Sequence, residues 1–351
     1  MALRRHASVA LSTLALLLLL AGACAASAAK RAAEEGGRLY DEGKYDEALP
    51  LLEKAADQGI DDGELFYQLA YVYDLKSMAD KSRSYRERAV PLLEKKARAK
   101  EGNLESWYYL TAVYANLDRT DDVAKASREG ISRYGEKTGL SAEDQFRLGR
   151  LYQFAGDGSR GAAAYRRSVE AFTAAAHPNP VLFALALLAD ARTDFSSHRY
   201  AEASKKLDRA AALAPRLAPP LYERALTHLG AGDLEKAAAE FAQVRDENLL
   251  TEAQYGADVA RRLGAAGGAT DKTSEGKSLL ELDSAALGEA IQKAAEGLKA
   301  ARGAEAAGKG GGETRRASER VFFSLVAEWM LRGNSIREQA LSGGYADLIR
   351  Q

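Results

Sequence analysis

Reactive and metal-binding side chains are scarce in this sequence of 351 residues, which contains one cysteine and four histidines. One cysteine excludes an intrachain disulfide and any metal site built from several cysteines, and four histidines leave little for a classical zinc site. An excess of either charge is also missing, because 49 Lys and Arg face 50 Asp and Glu. Nucleic-acid-binding modules normally carry a basic excess, so the composition argues against one.

Catalytic motifs are absent from the sequence as well. The histidines beyond the leader, His177, His198 and His228, fall in turns or at a repeat core position, where a structural role is the simpler interpretation. Residues 276–278 read Gly-Lys-Ser, the end of a phosphate-binding loop, but the leading glycine is replaced by Asp271 and no strand precedes it. We therefore expect no enzyme activity, no cofactor, no metal and no small-molecule substrate.

The N-terminus has the pattern of an export signal. Arg4 and Arg5 precede an apolar run from Val9 to Leu20, and small residues follow. The run is too short to cross a membrane comfortably, since a transmembrane helix needs about 20 residues. Residues 1–23 are therefore predicted to be a signal peptide.

The end of this signal, Leu20-Ala21-Gly22-Ala23-Cys24, resembles the lipobox of bacterial lipoproteins. The resemblance implies that Cys24 is acylated and anchors the mature protein to a membrane. Ala25 and Ala26 follow Cys24 directly, in place of the aspartate that often retains lipoproteins at the inner membrane, so an outer-membrane anchor facing the periplasm is expected. The alternative is cleavage near Ala26-Ser27-Ala28, which would remove Cys24 and leave a soluble periplasmic or secreted protein.

A helical repeat follows the signal. The stretch Ala48–Lys54 (ALPLLEK) recurs 41 residues later as Ala89–Lys95 (AVPLLEK), and periods of this size indicate a solenoid. Small residues recur at intervals of 34, 41, 38, 42 and 34, at Gly36, Ala70, Thr111, Gly149, Ala191 and Ala225. A small residue at a fixed position of each unit would let two helices approach closely.

These features resemble the tetratricopeptide repeat (TPR) family. The resemblance implies an all-α fold, a right-handed α-solenoid of about six helix pairs followed by a C-terminal helical segment. We expect a tether at residues 24–30, and the solenoid with a capping helix at residues 31–263. Because each repeat contacts its neighbours, residues 31–263 should fold without the rest of the chain.

The remainder of the chain is expected to be separate from the solenoid. A Gly/Ser/Thr-rich linker at 264–278 leads to a helical region at 279–351, with a Gly-rich break at 303–312. In that region Phe322, Leu325 and Trp329 lie on one wide apolar helix stripe. The stripe is interpreted either as packing core or as a docking helix for a partner groove.

The fifth repeat contains two acids at nominally buried positions, Asp190 and Asp194. Burying an unpaired carboxylate is costly. A register that turns Leu188 and Phe195 inward instead is therefore predicted.

The family resemblance also implies a binding surface, because the concave face of TPR proteins is lined chiefly by the first helices of the pairs. The corresponding residues are Tyr40, Tyr67, Tyr71, Asp74, Tyr108, Phe146, Arg150, Gln153, Arg192 and Tyr222. Aromatic and arginine side chains are typical interface anchors, although several of these tyrosines could instead be core residues. A partly apolar partner segment without a strong charge bias is expected.

The leading functional hypothesis is an exported, lipid-anchored scaffold that binds a protein or peptide partner at the bacterial cell envelope. An alternative is an assembly chaperone for an outer-membrane machine, since type IV pilus pilotins are also acylated proteins with six such repeats. Pilotins usually lack a tail like residues 279–351. An envelope enzyme with an unrecognised site is the third hypothesis.

The lipid anchor gives a direct prediction. In Cys24→Ala the acyl acceptor is lost, and the protein should move from the membrane fraction to the soluble periplasmic fraction. Cell fractionation and the mass of the N-terminal peptide measure this. Unchanged membrane fractionation, with no lipid mass on that peptide in the unsubstituted chain, would contradict acylation.

Overall fold

The computed structural model describes residues 27–215, 221–245, 249–309, 311–335 and 345–350. Cys24 and the predicted signal peptide lie outside the described residues. Regular structure in the described part is helical, and β pairing there is limited to one isolated bridge between Lys272 and Ser278. The predicted all-α fold is confirmed.

The chain divides into two compact units, Met1–Ala186 (unit 1) and Leu187–Gln351 (unit 2). The helices of unit 1 are α1 (residues 27–41), α2 (Tyr45–Asp57), α3 (Gly63–Leu75), α4 (Ala79–Arg98), α5 (Leu104–Asn116), α6 (Thr120–Tyr134), α7 (Ala142–Phe154), α8 (Gly158–Ala174) and the first part of α9 (Pro180–Ser196). Residues 27–30 were predicted to belong to a tether, but they are helical and Ala29 is fully buried.

Side-chain caps fix where several of these helices begin. The Asp62 carboxylate accepts the backbone N–H groups of Glu64 and Leu65 at 2.9 and 3.0 Å at the start of α3. Asn103 and Ser141 cap α5 and α7 in the same way. Each cap contributes about 1 kcal/mol and satisfies N–H groups that have no partner within the helix.

The 41-residue repeat of the sequence is a repeat of contacts in the structure. The Tyr73 hydroxyl on α3 donates a hydrogen bond to Glu53 on α2, and Tyr114 on α5 donates to Glu94 on α4. Both tyrosines and both glutamates are 41 residues apart, so consecutive helix pairs use the same bond.

Small residues lie buried at the helix crossings, as predicted. The six residues are Gly36, Ala70, Thr111, Gly149, Ala191 and Ala225. At Gly149 on α7 an added Cβ would lie 2.6 Å from the ring of Tyr165 on α8. At Gly36 it would lie 2.9 Å from Leu52 on α2. These pairs have no room for a larger side chain.

Unit 2 contains the remainder of α9, α10 (Tyr200–Leu213), α11 (Leu221–Ala231), α12 (Leu234–Phe241), α13 (Leu250–Ala265), a 3₁₀ turn (Leu279–Glu281), α14 (Ser284–Ala306), α15 (Gly312–Leu331) and α16 (Ala346–Arg350). The Gly-rich break predicted at 303–312 is shorter in the structure, because residues 303–306 remain helical and α15 already includes Gly312.

The C-terminal helices share one core with the last repeats, contrary to the predicted boundary at 264–278. Val259 on α13, Ile291 on α14 and Phe322 on α15 belong to the same buried cluster. The intervening segment is anchored on α15, because the backbone N–H of Thr270 donates to Ser324 Oγ at 2.9 Å and Arg320 donates to the carbonyl of Ala269 at 3.0 Å. Residues 264–278 are therefore not a free linker.

The crossing at Gly149 gives a stability prediction. Gly149→Ala should destabilise the protein by about 1–3 kcal/mol, because the buried Tyr165 ring leaves no space for the methyl group. Gly297 is the matched control, since it lies inside α14 with nothing within 4 Å of an added Cβ. Gly297→Ala should stabilise by about 0.5–1 kcal/mol through helix propensity. Chemical denaturation measures both, and equal effects would contradict the packing constraint.

The shared core of unit 2 predicts that the tail is needed for stability. Deleting residues 279–351 should lower the melting temperature of the remaining chain, since α13 would lose apolar partners. At the level of one residue, Leu325→Ala, at a position 1% exposed, should cost about 3–5 kcal/mol. Leu280→Ala is the matched control at a position 55% exposed and should cost less than about 0.5 kcal/mol. An unchanged melting curve after the deletion would show instead that residues 31–263 fold without the C-terminal region.

Candidate functional site: a tyrosine cluster in unit 1

Tyrosines from neighbouring helix pairs meet on one surface of unit 1. The tyrosine cluster consists of Tyr40 on α1, Tyr45 on α2, Tyr67 and Tyr71 on α3, and Tyr108 and Tyr109 on α5. The structure thus brings together the predicted residues Tyr40, Tyr67, Tyr71 and Tyr108. Tyr45 and Tyr109 were not predicted from the sequence, although the adjacent pair Tyr108-Tyr109 was a signal that one ring would support the other.

The rings form two triads. Tyr40, Tyr45 and Tyr71 have centroids 5.5 to 5.6 Å apart. In the second triad, Tyr67 lies 4.4 Å from Tyr109 and 6.4 Å from Tyr108. Most of these pairs are tilted or edge-to-face, the arrangement that the ring quadrupole favours. Each ring of the cluster therefore packs against at least one other ring of it.

Burial within the cluster differs between members. Tyr45 and Tyr109 are nearly buried, at 5% and 7% exposed, whereas Tyr40, Tyr67, Tyr71 and Tyr108 are partly exposed. Burial raises the pKa of Tyr40 and Tyr67 well above the usual value, and their tyrosine neighbours raise it further. The hydroxyls therefore stay protonated and can donate hydrogen bonds at the edge of an apolar surface.

Phe146 is a predicted surface residue that the structure places in the core. It is 3% exposed and lies between Tyr108, at a centroid distance of 6.1 Å, and Tyr165, at 6.0 Å. Its ring supports the cluster from behind and is not available to a partner. The pattern of the sequence could not decide this, because a shift of one residue in the helix register moves a side chain from the exposed face to the buried face.

The polar residues predicted beside the cluster are engaged within the protein. Asp74 pairs with Arg86 on α4. Arg150 donates to Gln153 at 2.9 Å, and Gln153 also accepts the hydroxyl of Tyr165 at 2.8 Å. A partner would have to replace these bonds to use the residues.

Arg192 and Tyr222 belong to unit 2, whereas the tyrosine cluster belongs to unit 1. The Arg192 guanidinium donates to the Glu223 carboxylate at 3.0 Å. Tyr222 packs edge-to-face on Phe241 at 5.5 Å, and burial raises its pKa to about 12. We therefore restrict the candidate site to unit 1.

The proposed docking helix is part of the core of unit 2. Phe322 and Leu325 are 0% and 1% exposed, and Trp329 is partly buried with its indole N–H donating to the carbonyl of Ser335 at 3.1 Å. The docking interpretation is corrected on this ground, because these apolar side chains already pack against other helices of the same unit.

Carboxylates that were not predicted from the sequence lie beside the tyrosine cluster. This acidic rim consists of Asp41 on α1, Glu64 on α3, Glu105 on α5 and Asp144 on α7. The Tyr109 hydroxyl donates to Glu105 at 3.1 Å, which connects the rim to the rings. Arg147 on α7 pairs with Glu105 and, at 3.1 Å, with Asp144. Lys96 pairs with Glu64 at 2.9 Å.

Asp41 differs from the other members of the rim. Within the described part of the chain it forms no ion pair, although Arg147 acts on it from a distance. Loss of hydration and the charge of Glu105 raise its pKa to about 6, and Arg147 lowers it only in part. The Asp41 side chain is exposed and directly follows Tyr40 on α1, so an unpaired carboxylate lies at this edge of the cluster.

The second cluster of charges that the sequence did not predict lies in unit 2. Asp190 and Asp194 are 1% and 3% exposed, and both accept hydrogen bonds from Lys206 at 2.5 Å. Arg199 donates to Asp194 as well, and these bonds lower the pKa of Asp194 against the effect of its burial. The predicted register was wrong, because the cation that compensates the acids is on the next helix. Leu188 and Phe195 are partly buried beside them.

Among the described residues, His, Cys, Asp and Glu side chains form no group of three that could hold a metal ion. None of the helices in that part of the chain is both long and apolar enough to span a membrane.

Comparisons with known proteins give likenesses of fold. No family model matches the chain, and no curated protein matches it. Among solved structures it resembles pilF of Pseudomonas aeruginosa, with 13% identity, 62% of this chain and 90% of that chain covered, and a TM-score of 0.37.

Two other solved structures are also similar. One is YrrB, described as a TPR protein with an unusual peptide-binding site, with 18% identity, 54% and 94% coverage of this chain and that one, and a TM-score of 0.27. The other is Acl4 (residues 1–338), described as the assembly chaperone of RpL4, with 17% identity, 68% and 97% coverage, and a TM-score of 0.34. At these scores the similarities identify no ligand. The evidence for a TPR-like fold is the series of helix pairs described above.

Proposed function

We propose that the chain is a protein-binding scaffold whose tyrosine cluster docks a segment of a partner protein. The observation that carries the proposal is a partly exposed group of mutually packed tyrosine rings from three successive helix pairs. Buried aromatic surface with hydroxyls at its edge is typical of the centre of protein interfaces. The function is binding and not catalysis.

The cluster has the properties that lower the cost of binding. Its rings are already held by their neighbours, so few side-chain rotamers remain to be fixed when a partner arrives. Tyr45, Tyr109 and Phe146 form a buried base, and the partly exposed tyrosines stand on it. A segment laid across this surface would contact α1, α3 and α5 at once.

The place of action that we propose is the bacterial envelope. The leader at residues 1–23 supports export, and the lipobox-like sequence ending at Cys24 supports anchoring to the outer membrane on the periplasmic side. A tethered scaffold would hold its partner near that membrane. The fractionation of Cys24→Ala tests this part of the proposal separately from binding.

Site-specific photocrosslinking in intact cells tests the docking surface. A benzoylphenylalanine in place of Tyr71 keeps an aromatic ring in the cluster and should form a discrete adduct with a partner. Tyr67→Ala/Tyr108→Ala should abolish that adduct, because loss of a true anchor costs about 1–2 kcal/mol or more of binding. The same crosslinker in place of Lys125, an exposed residue of α6, is the positional control and should give no such adduct.

Stability controls separate binding from folding. The Tyr67→Ala/Tyr108→Ala protein should keep its helicity and unfold cooperatively. Tyr134→Ala is the matched tyrosine control, since Tyr134 is buried on α6, donates to the carbonyl of Gly102 and, among the ring contacts of the described residues, has none with the cluster. It should reduce stability and retain the adduct. An adduct that survives the double substitution would place the binding surface elsewhere.

A further inference from the structure

We propose that the partner segment is basic and places a lysine or arginine side chain between the tyrosine cluster and Asp41. This inference rests on the proposed docking function and specifies the chemistry of its partner. It revises the expectation of a segment without charge bias, for which Asp74 and Arg150 were the flanking charges, because both are engaged within the protein.

The charge balance of the rim favours a cation. The four carboxylates of the acidic rim face two cations, and both cations are already engaged: Arg147 with Glu105 and Asp144, and Lys96 with Glu64. Asp41 is left over at the end of α1, immediately after Tyr40. A partner's cation would add the missing charge, whereas an acidic side chain would be repelled there.

The aromatic rings also attract cations. The negative face of an aromatic ring attracts ammonium and guanidinium groups, and this protein uses that contact elsewhere. Arg88 lies 4.0 Å from the ring centroid of Phe66, and Lys137 lies 4.1 Å from that of Tyr134. The partly exposed rings of the cluster have no cation over them among the contacts of the described residues. A cationic side chain could therefore contact both a ring and a carboxylate.

Protonation of Asp41 makes the inference testable by pH. The groups that act on Asp41 are Glu64 on α3, Glu105 on α5 and Arg147 on α7. With a pKa raised to about 6, Asp41 is charged at pH 7.5 and largely neutral at pH 5. A bound cation stabilises the charged form, so affinity should fall as the pH falls through this range.

Selection from a random library of twelve-residue phage-displayed peptides on the purified full chain identifies the preferred chemistry. The peptides retained at pH 7.5 should be enriched in Lys or Arg and depleted in Asp and Glu. The Tyr67→Ala/Tyr108→Ala protein serves as counter-selection. Retained peptides without a basic bias would overturn this inference and leave the docking function intact, whereas no peptide preferred over the double variant would contradict the docking function itself.

Calorimetry with a selected peptide then tests Asp41 directly. Asp41→Asn should weaken binding about tenfold at pH 7.5, the cost of about one charge-assisted contact, and should remove most of the loss between pH 7.5 and 5. Glu42→Gln is the matched control: it removes the same charge one residue away, where Glu42 pairs with Lys44 and Arg38. It should leave the affinity within about twofold.

A substitution in the peptide tests the same contact without changing the protein, so the result does not depend on whether a protein variant folds. Replacing the conserved basic residue of the selected peptide with glutamine should weaken binding to the unsubstituted protein as much as Asp41→Asn does. Its effect on Asp41→Asn should be small, since the two groups act on each other. Equal losses on both proteins, or equal behaviour of Asp41→Asn and Glu42→Gln, would overturn the assignment of Asp41.

Discussion

The distance at which two paired helices cross is the constraint on which the rest of the structure depends. At each crossing one small residue is buried, and at Gly149 even a methyl group would meet the ring of Tyr165. Close approach puts large residues such as Leu69 and Leu148 into the seams between helices. In unit 1, where the crossings recur at a period of about 40 residues, α3 lies beside α5 and α5 beside α7, and tyrosines of α1, α3 and α5 meet on one surface.

That stacking also determines where polar groups can be buried. Tyr73 and Tyr114 keep their hydroxyls bonded to glutamates of the preceding pair, which satisfies a polar atom in a closely packed seam. In unit 2, Asp190 and Asp194 share Lys206, so two buried carboxylates are tolerated because one cation binds both. Such bonds limit which helix faces can pack together.

The tyrosine cluster is a product of the same geometry. Rings from α1, α3 and α5 meet because those helices are neighbours, and Phe146 on α7 closes the base of the cluster. The acidic rim arises from the same four helices, and it would make a largely aromatic surface favour a positively charged partner. The aromatic surface would supply most of the affinity for a partner, and Asp41 would select a partner side chain of positive charge.

The sequence by itself determined the all-α fold, the repeat and the buried small residues, because helix periodicity and close approach leave direct marks on residue spacing. It also singled out four tyrosines of the cluster. Tertiary structure alone decided that Phe146 is core, that Lys206 compensates Asp190 and Asp194, and that the tail shares a core with α13. These outcomes depend on contacts between helices that are distant in sequence, and local patterns carry no record of which side chain will meet which.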